Sequence, residues 1–405
     1  MGAVDRGLAE ALDATDPLTG FRERFVFDDP PGTIYLDGNS LGRLPVAGRQ
    51  RLHALIEQWG TQVVGGWDEW LGLPGRVGDR LGEVAIGAGA GQTLVCDSTT
   101  VNLFKLASAA LDALSPAGAR YIVTDAGNFP TDRYVLEGLA KTHRLSLRLI
   151  EADEVDGPTV EDVEKACAGG DVALVVLSQV GYRSAAVADV RAITAAVGAP
   201  VLWDLSHGVG AVPAELDRDG VQLAVGCTYK YVNGGPGAPA FLYVRRELQD
   251  RLRTPIQGWF GQHDQFAMHR PYDPERDVRR FLAGTPPILQ LAGVAAAVEL
   301  LGEIGLDRIR AKNMALTELA IQLHDAWLAP LGFELASPRD PKRRGSAVCL
   351  RHRDAESITA ELVTRHQVIV DFRGPDRVRF GLAAPYTSFV EVYDAMARVR
   401  ELVRR

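Results

Sequence analysis

Two apolar runs in the middle of the chain end in charged residues. "VLWDLSH" (201–207) closes on Asp204 and His207, and "VQLAVGCTYK" (221–230) closes on Thr228, Tyr229 and Lys230. Lysine is seldom fully buried without a partner. A desolvated lysine gives up its proton readily and becomes an amine nucleophile that forms Schiff bases with carbonyls. A carboxylate beside it can keep a heterocyclic nitrogen protonated. These are the two side chains required by pyridoxal 5'-phosphate (PLP), which carries an aldehyde on a pyridine ring. Asp204 and Lys230 fit those roles. The same pair also reads as a salt bridge at the rim of a sheet, and spacing alone does not separate the two.

A phosphorylated cofactor needs a seat for its dianion. "CDSTTVNLFKLASAALDAL" (96–114) opens with hydroxyls and continues as an amphipathic helix. The free N–H groups and dipole of a helix N-terminus bind phosphate. Ser98, Thr99 and Thr100 are equally ordinary N-cap residues. Upstream, "AIGAGAGQ" has no strand before it and lacks GxGxxG spacing, so it reads as a loop rather than a dinucleotide site. "GNFPTDRYVLEGLA" (127–140) offers Phe129 to stack on a flat ring and Asp132 close by. Taken singly, Phe129 also reads as core and Asp132 as a helix cap.

These residues need a scaffold. From about Arg120 to Arg246, β-branched runs alternate with helical patterns: 121–125, 145–152, 172–180, 200–207, 221–227 and 240–246 are the expected strands. Continuous apolar strands separated by helices imply an α/β region with a mostly parallel sheet, whose ligands bind beyond the carboxyl ends of the strands. That rule gathers Ser178, Asp204, His207 and Thr228–Lys230 around one crevice. After Pro287 a long helical stretch leads to "SAVCLRH", "VIVDFR" and "RVRFGL" and a final helix, a smaller α+β unit. The expected division is an N-terminal segment 1–62 wrapping onto the rest, a large unit 63–290 and a small unit 291–405.

Bulk properties narrow the function. A hydrophobic share of 46% and a charged share of 24% are those of an ordinary globular chain. A net charge of −8 disfavours nucleic-acid binding, which needs a basic surface. No apolar run approaches the roughly 18 residues of a membrane-spanning helix. The acidic start "MGAVDRGLAEALDATDPL" lacks the pattern of a secretory leader. The four cysteines are far apart and have no metal spacing. A cytoplasmic chain with a small-molecule substrate and no metal is the expectation.

The stretches "YLDGNSLGRLP" (35–45), "DSTTVNLFK" (97–105), "NFPTD" (128–132), "DLSHGVGAV" (204–212), "TYKYVNGGPGAPAFLYV" (228–244), "GWFGQ" (258–262) and "FLAGTPPIL" (281–289) occur in the order of the kynureninase family. The chain resembles that family, PLP enzymes of the aspartate-aminotransferase-like fold in the class V group, from about residue 35 to 390. The resemblance implies a homodimer with shared active sites that cleaves L-kynurenine hydrolytically to anthranilate and L-alanine.

By the same resemblance, Lys230 holds PLP covalently and Asp204 pairs with its ring nitrogen. Phe129, in the stretch with Pro130, Thr131 and Asp132, stacks on the ring. Thr99, Thr100, Ser178, His207 and Tyr229 contact cofactor or phosphate. Trp259 and Thr285 reach the site of the neighbouring chain, Thr285 near the substrate ring, where a short side chain favours unsubstituted L-kynurenine over its 3-hydroxy form. Arg379 grips the substrate carboxylate, with Arg373 a rival on the same hairpin. Tyr229 is the expected general acid, its pKa lowered by a phosphate hydrogen-bond network. Two other readings compete. One is transamination or cysteine desulfuration, although Cys349 in "SAVCLRH" looks like inert packing. The other is a non-catalytic PLP-binding sensor, against which the joint presence of Lys230, Asp204 and an arginine clamp counts.

Overall fold

β-Branched residues pack well on a pleated surface, and the runs rich in them become strands. The computed structural model of the chain describes residues 5–268 and 271–404. In chain order the strands are β1 (Ile34–Tyr35), β2 (Thr93–Val95), β3 (Tyr121–Asp125), β4 (Ser146–Ile150), β5 (Val172–Ser178), β6 (Val201–Asp204), β7 (Leu223–Gly226), β8 (Phe241–Val244), β9 (Glu334–Leu335), β10 (Ala347–Arg351), β11 (Val368–Ile369), β12 (Asp371–Arg373) and β13 (Arg377–Gly381).

The main sheet has seven strands in the order β2-β8-β7-β6-β5-β3-β4. β3 to β7 run parallel, while β8 is antiparallel to both β7 and β2. The register sets Ser178 opposite Asp204, and Asp204 opposite Val225. These carboxyl ends therefore share one rim. The interior strands β5, β6, β7 and β8 are buried almost throughout, as expected for a sheet covered on both faces.

β6 stops at Asp204, short of the expected His207. The cause is local: Asp204 Oδ1 accepts from Ser206 N at 2.8 Å and from Ser206 Oγ at 2.6 Å. Such a side-chain turn offers the backbone an alternative to the ladder. The long helical stretch after Pro287 is two helices, Ile288–Ile304 and Leu306–Leu323, broken at Gly305, which has φ +83°. Among the described residues no single helix is long and apolar enough to cross a membrane.

A second sheet, β12-β13-β10-β9, is antiparallel. The N-terminal residues are fastened to this part of the molecule. β1 pairs in parallel with β11. The Asp13 carboxylate accepts from the backbone N–H of Phe389 (2.8 Å) and Val390 (2.9 Å), capping the last helix. Asp16 pairs with Lys312 at 2.6 Å, both side chains nearly sealed from solvent. Burial already lowers the pKa of Lys312, opposed by its bond to Asp16. Between the two sheets, Glu154 reaches from the segment after β4 to Arg377 (2.7 Å) and Arg351 (2.9 Å).

Asp16→Ala strands the Lys312 ammonium in the interior, so unfolding free energy should fall by roughly 3 kcal/mol or more. The measurement is the urea midpoint against wild type. An unchanged midpoint would mean that Lys312 needs no carboxylate.

Candidate active site

Beyond the rim of the main sheet lies a cavity of about 300 Å³. Each wall comes from a different element. Thr99 and Thr100 begin the helix Thr99–Ala113, whose N-cap Ser98 accepts from Val101 N. Phe129, Thr131 and Asp132 come from the segment and helix after β3. Asp204, Ser206 and His207 follow β6, and Tyr229 and Lys230 follow β7. The separate motifs of the sequence thus meet in one place.

Lys230 is 8% exposed, and its Nζ lies 2.8 Å from His207 Nε2. Burial, helped by the charges of Lys230, Arg379 and Arg373, pushes the His207 pKa well below its ordinary value. The imidazole is therefore neutral and can share a hydrogen bond with the lysine nitrogen. The Phe129 ring has its centroid 5.8 Å from Lys230 Nζ and meets Tyr182 edge-on at 5.1 Å. The Asp204 pKa is raised by burial, against the two hydrogen bonds from Ser206 and the charge of Lys230. Asp132, 1% exposed, is raised well above the usual carboxylate range by burial and by the Asp204 charge. Its Oδ2 is buried without a partner. Two buried carboxylates, one with an orphaned oxygen, fit a cationic N–H entering the cavity. The ring nitrogen of PLP is such a group, Lys230 could supply the amine for its aldehyde, and the helix start at Thr99–Thr100 could seat its phosphate. The residues present fit the cofactor.

Not every expected residue faces this cavity. Pro130 is the first residue of its helix, where a missing N–H is harmless, and it lies outside the lining. Ser178 donates to Asn128 Oδ1 at 2.7 Å and lines a neighbouring cavity instead. Tyr229 lines the site, but burial raises its pKa rather than lowering it. Trp259, 43% exposed, packs edge-on to Phe260 and Phe266, and Thr285 is also exposed; both lie outside the cavity lining. Arg379 is 1% exposed and its donors are occupied. Nε and Nη2 bond Asp371, Nη1 bonds the Tyr182 carbonyl (2.7 Å), and Nη2 is 3.3 Å from Ser40 Oγ. Arg373, more exposed, pairs with the same Asp371 at 2.6 Å.

Several residues of this neighbourhood had no role in the sequence reading. Asn128, Ser206, Asp371, Ser40 and Asp37 are the principal ones. The polar residues inside "YLDGNSLG" were the available signal. Ser40 Oγ donates to Asp371 Oδ2 at 2.9 Å, and Gly42 N donates to the Tyr229 carbonyl at 2.8 Å. A Cβ at Gly42 would strike the Lys230 carbonyl and Asn233, so only glycine allows this approach. Asp37 bridges to Gly381, and one of its carboxylate oxygens is buried without a partner.

Comparison with known proteins identifies the fold and the family. An apo cysteine desulfurase from Thermococcus onnurineus NA1 superposes with a TM-score of 0.81, at 20% identity over 98% of each chain. A C-DES mutant with glycine covalently linked to its PLP cofactor gives 0.79, at 16% identity over 92% of this chain and 97% of that one. The fold is the aspartate-aminotransferase-like fold of class V PLP enzymes. A sequence model of the kynureninase C-terminal domain matches residues 309–399. Kynureninases from Pseudomonas fluorescens and Deinococcus radiodurans are each 40% identical over 98% of this chain, covering 94% and 96% of those proteins. The chain belongs to the kynureninase family.

Burial and the charge of Asp371, opposed by Ser40 and the two arginines, push the Asp37 pKa from its usual carboxylate value up to about 6. The folded state therefore binds this proton more tightly than the unfolded chain. The stability it contributes is complete below the ordinary carboxylate pKa and is lost as pH rises through about 6. In cofactor-free protein, Asp37→Asn should gain stability relative to wild type between pH 4.5 and pH 7, on the scale of about 1 kcal/mol or more. Urea midpoints of the two proteins across that range test it, and a constant difference would remove Asp37 from the titration.

Proposed function

We propose that the protein is a PLP-dependent kynureninase, hydrolysing the Cβ–Cγ bond of L-kynurenine to anthranilate and L-alanine. The observation that carries the reading is the convergence of Lys230, His207, Asp204 and the orphaned Asp132 on one cavity. The 40% identity to kynureninases across nearly the whole chain supports it.

PLP, when bound, supplies an electron sink for negative charge on the substrate's α- and β-carbons. The chain's own groups do the rest. Asp204, with the Asp132 carboxyl near it, would hold the proton of the ring nitrogen and so keep the sink effective. Lys230 would be the covalent anchor of the cofactor and, as a free amine, the base for the α-proton. His207 holds the lysine nitrogen in place. Arg379, whose guanidinium Asp371, Ser40 and the Tyr182 carbonyl already engage, binds the substrate carboxylate by exchanging one of these partners; the more exposed Arg373 is the alternative clamp. Water adds to the γ-carbonyl, and the Cβ–Cγ bond breaks with its electrons on the β-carbon. The acyl fragment departs as anthranilate. Tyr229 then protonates the β-carbon, and its raised pKa keeps the phenol protonated at neutral pH, as a donor must be.

Desulfuration lacks its nucleophile in this chain. Cys349 is sealed within β10 with its thiol pKa raised by burial, and Cys96, Cys167 and Cys227 are shifted the same way. The four unpaired cysteines suit a reducing cytoplasm.

The enzyme works as a homodimer with shared sites. Trp59, Val63 and Val64 are more than half exposed, as are Phe266 and Met268, and Trp259 is 43% exposed. Trp67 packs on Phe260 (6.3 Å between centroids), linking the two regions. Exposed apolar side chains gathered in this way support the dimer reading. On this reading Trp259 and Thr285 enter the neighbour's cavity, and Thr285 sets a preference for unsubstituted L-kynurenine.

Purified protein given PLP and L-kynurenine should release fluorescent anthranilate. Lys230→Ala should abolish this and also the borohydride-fixed cofactor adduct, whereas Asp204→Asn should retain cofactor and lose about 10³-fold in kcat. An adduct in Lys230→Ala would assign the anchor to another lysine.

Mixed dimers give a separate test. A Lys230→Ala chain combined with a Trp259→Ala chain should rebuild one intact site per heterodimer, recovering roughly half of the wild-type activity per site pair. Verified heterodimers with no recovery would mean that each chain builds its own pocket.

A further inference from the structure

Lys105 is 0% exposed and takes no part in the chemistry derived above. It lies on the helix Thr99–Ala113, beneath the phosphate seat rather than in it. Its Nζ donates to Asp97 Oδ2 at 2.6 Å and to the Phe281 carbonyl at 2.6 Å, with Cys96 Sγ at 3.8 Å. Asp97, unlike Lys105, lines the cavity alongside Ser98, Thr99 and Thr100.

This arrangement sets a carboxylate beside the place where a phosphate dianion must sit. Like charges at close range repel, and in a partly buried site water screens them poorly. Asp97 is also one of the few non-glycine residues in the left-handed region, at φ +48°. That conformation is unfavourable for an L-residue. Here it turns the chain from β2 into the helix whose first residues, Thr99 and Thr100, line the cavity. The Asp97 carbonyl accepts from Ala240 N at 2.9 Å, and its side chain is gripped by Lys105. One buried ammonium thus cancels the wrong-signed charge and holds the turn.

We propose that Lys105 is a positioning residue for cofactor binding, neutralising Asp97 so that the seat at Ser98–Thr100 accepts a phosphate dianion. The inference rests on the PLP reading above. It differs from a purely structural role in one respect: the effect must follow the phosphate charge and must depend on Asp97.

The test is equilibrium binding, read by tryptophan fluorescence on resolved apoprotein with PLP, pyridoxal and inorganic phosphate as separate probes. Lys105→Met should weaken PLP and inorganic phosphate by at least about tenfold, and change pyridoxal, which carries no phosphate, by less than about threefold. Adding Asp97→Asn to Lys105→Met should bring PLP affinity back to within about threefold of wild type. If Lys105→Met does not fold, Lys105→Gln, which keeps a donor for the Phe281 carbonyl, carries the same comparisons. Equal loss for PLP and pyridoxal, or a double variant as weak as the single, would overturn the proposal. Wild-type protein that binds no PLP would overturn the cofactor reading instead; the phosphate comparison then decides Lys105, and equal phosphate affinities with and without its charge would sink it.

Discussion

Burying two carboxylates and an ammonium in one water-poor pocket is the constraint on which the rest of this structure depends. Asp132, Asp204 and Lys230 are nearly sealed from solvent, and both acids are pushed towards protonation by that burial. Isolated ions would not persist there. What keeps Asp204 ionisable is local: Ser206 supplies both its backbone N–H and its hydroxyl to one carboxylate oxygen. What leaves room for a further cation is the orphaned oxygen of Asp132. A site of this kind is costly to fold and suits a pyridinium, whose positive charge offsets the two carboxylates and whose one N–H needs an acceptor.

Holding such groups at fixed separations is the work of the sheet. β5, β6 and β7 are parallel, apolar and covered, so their ends are stiff points of departure for Ser178, Asp204 and Lys230. The turns beyond those ends are stabilised by contacts from distant parts of the chain. Gly42 lies against the backbone of Tyr229 and Lys230, where no side chain fits. Lys105 ties the Asp97 turn to the strand of chain that leads to Thr285. Two loops of the site are thus braced by residues that do no chemistry.

The second, antiparallel sheet contributes through charge as well as packing. Arg379 and Arg373 share Asp371, Ser40 bonds all three groups, and Asp37 stands beside them with its own pKa raised. This cluster has two arginines facing two carboxylates. The added negative charge of a substrate carboxylate would enter a nearly balanced set, with Asp37 as the group nearest to taking up a proton. Glu154, between Arg377 and Arg351, links that sheet to the main one by charge as well.

Local pattern determined much of this protein. Alternating apolar runs and helices specified a mostly parallel α/β sheet, because propensity and periodicity are properties of a few neighbouring residues. The charged ends of two such runs marked Asp204 and Lys230, since a charge in that setting is unexpected without a purpose. Motif order identified the family. Tertiary structure decided what those residues touch. It set His207 against Lys230, left Asp132 without a partner, turned Ser178 towards Asn128 and gave Arg379 to Asp371. It also brought Ser40 to a hairpin more than three hundred residues away. Those distances, and the desolvation that shifts each pKa, arise only when the whole chain packs, and no window of sequence contains them.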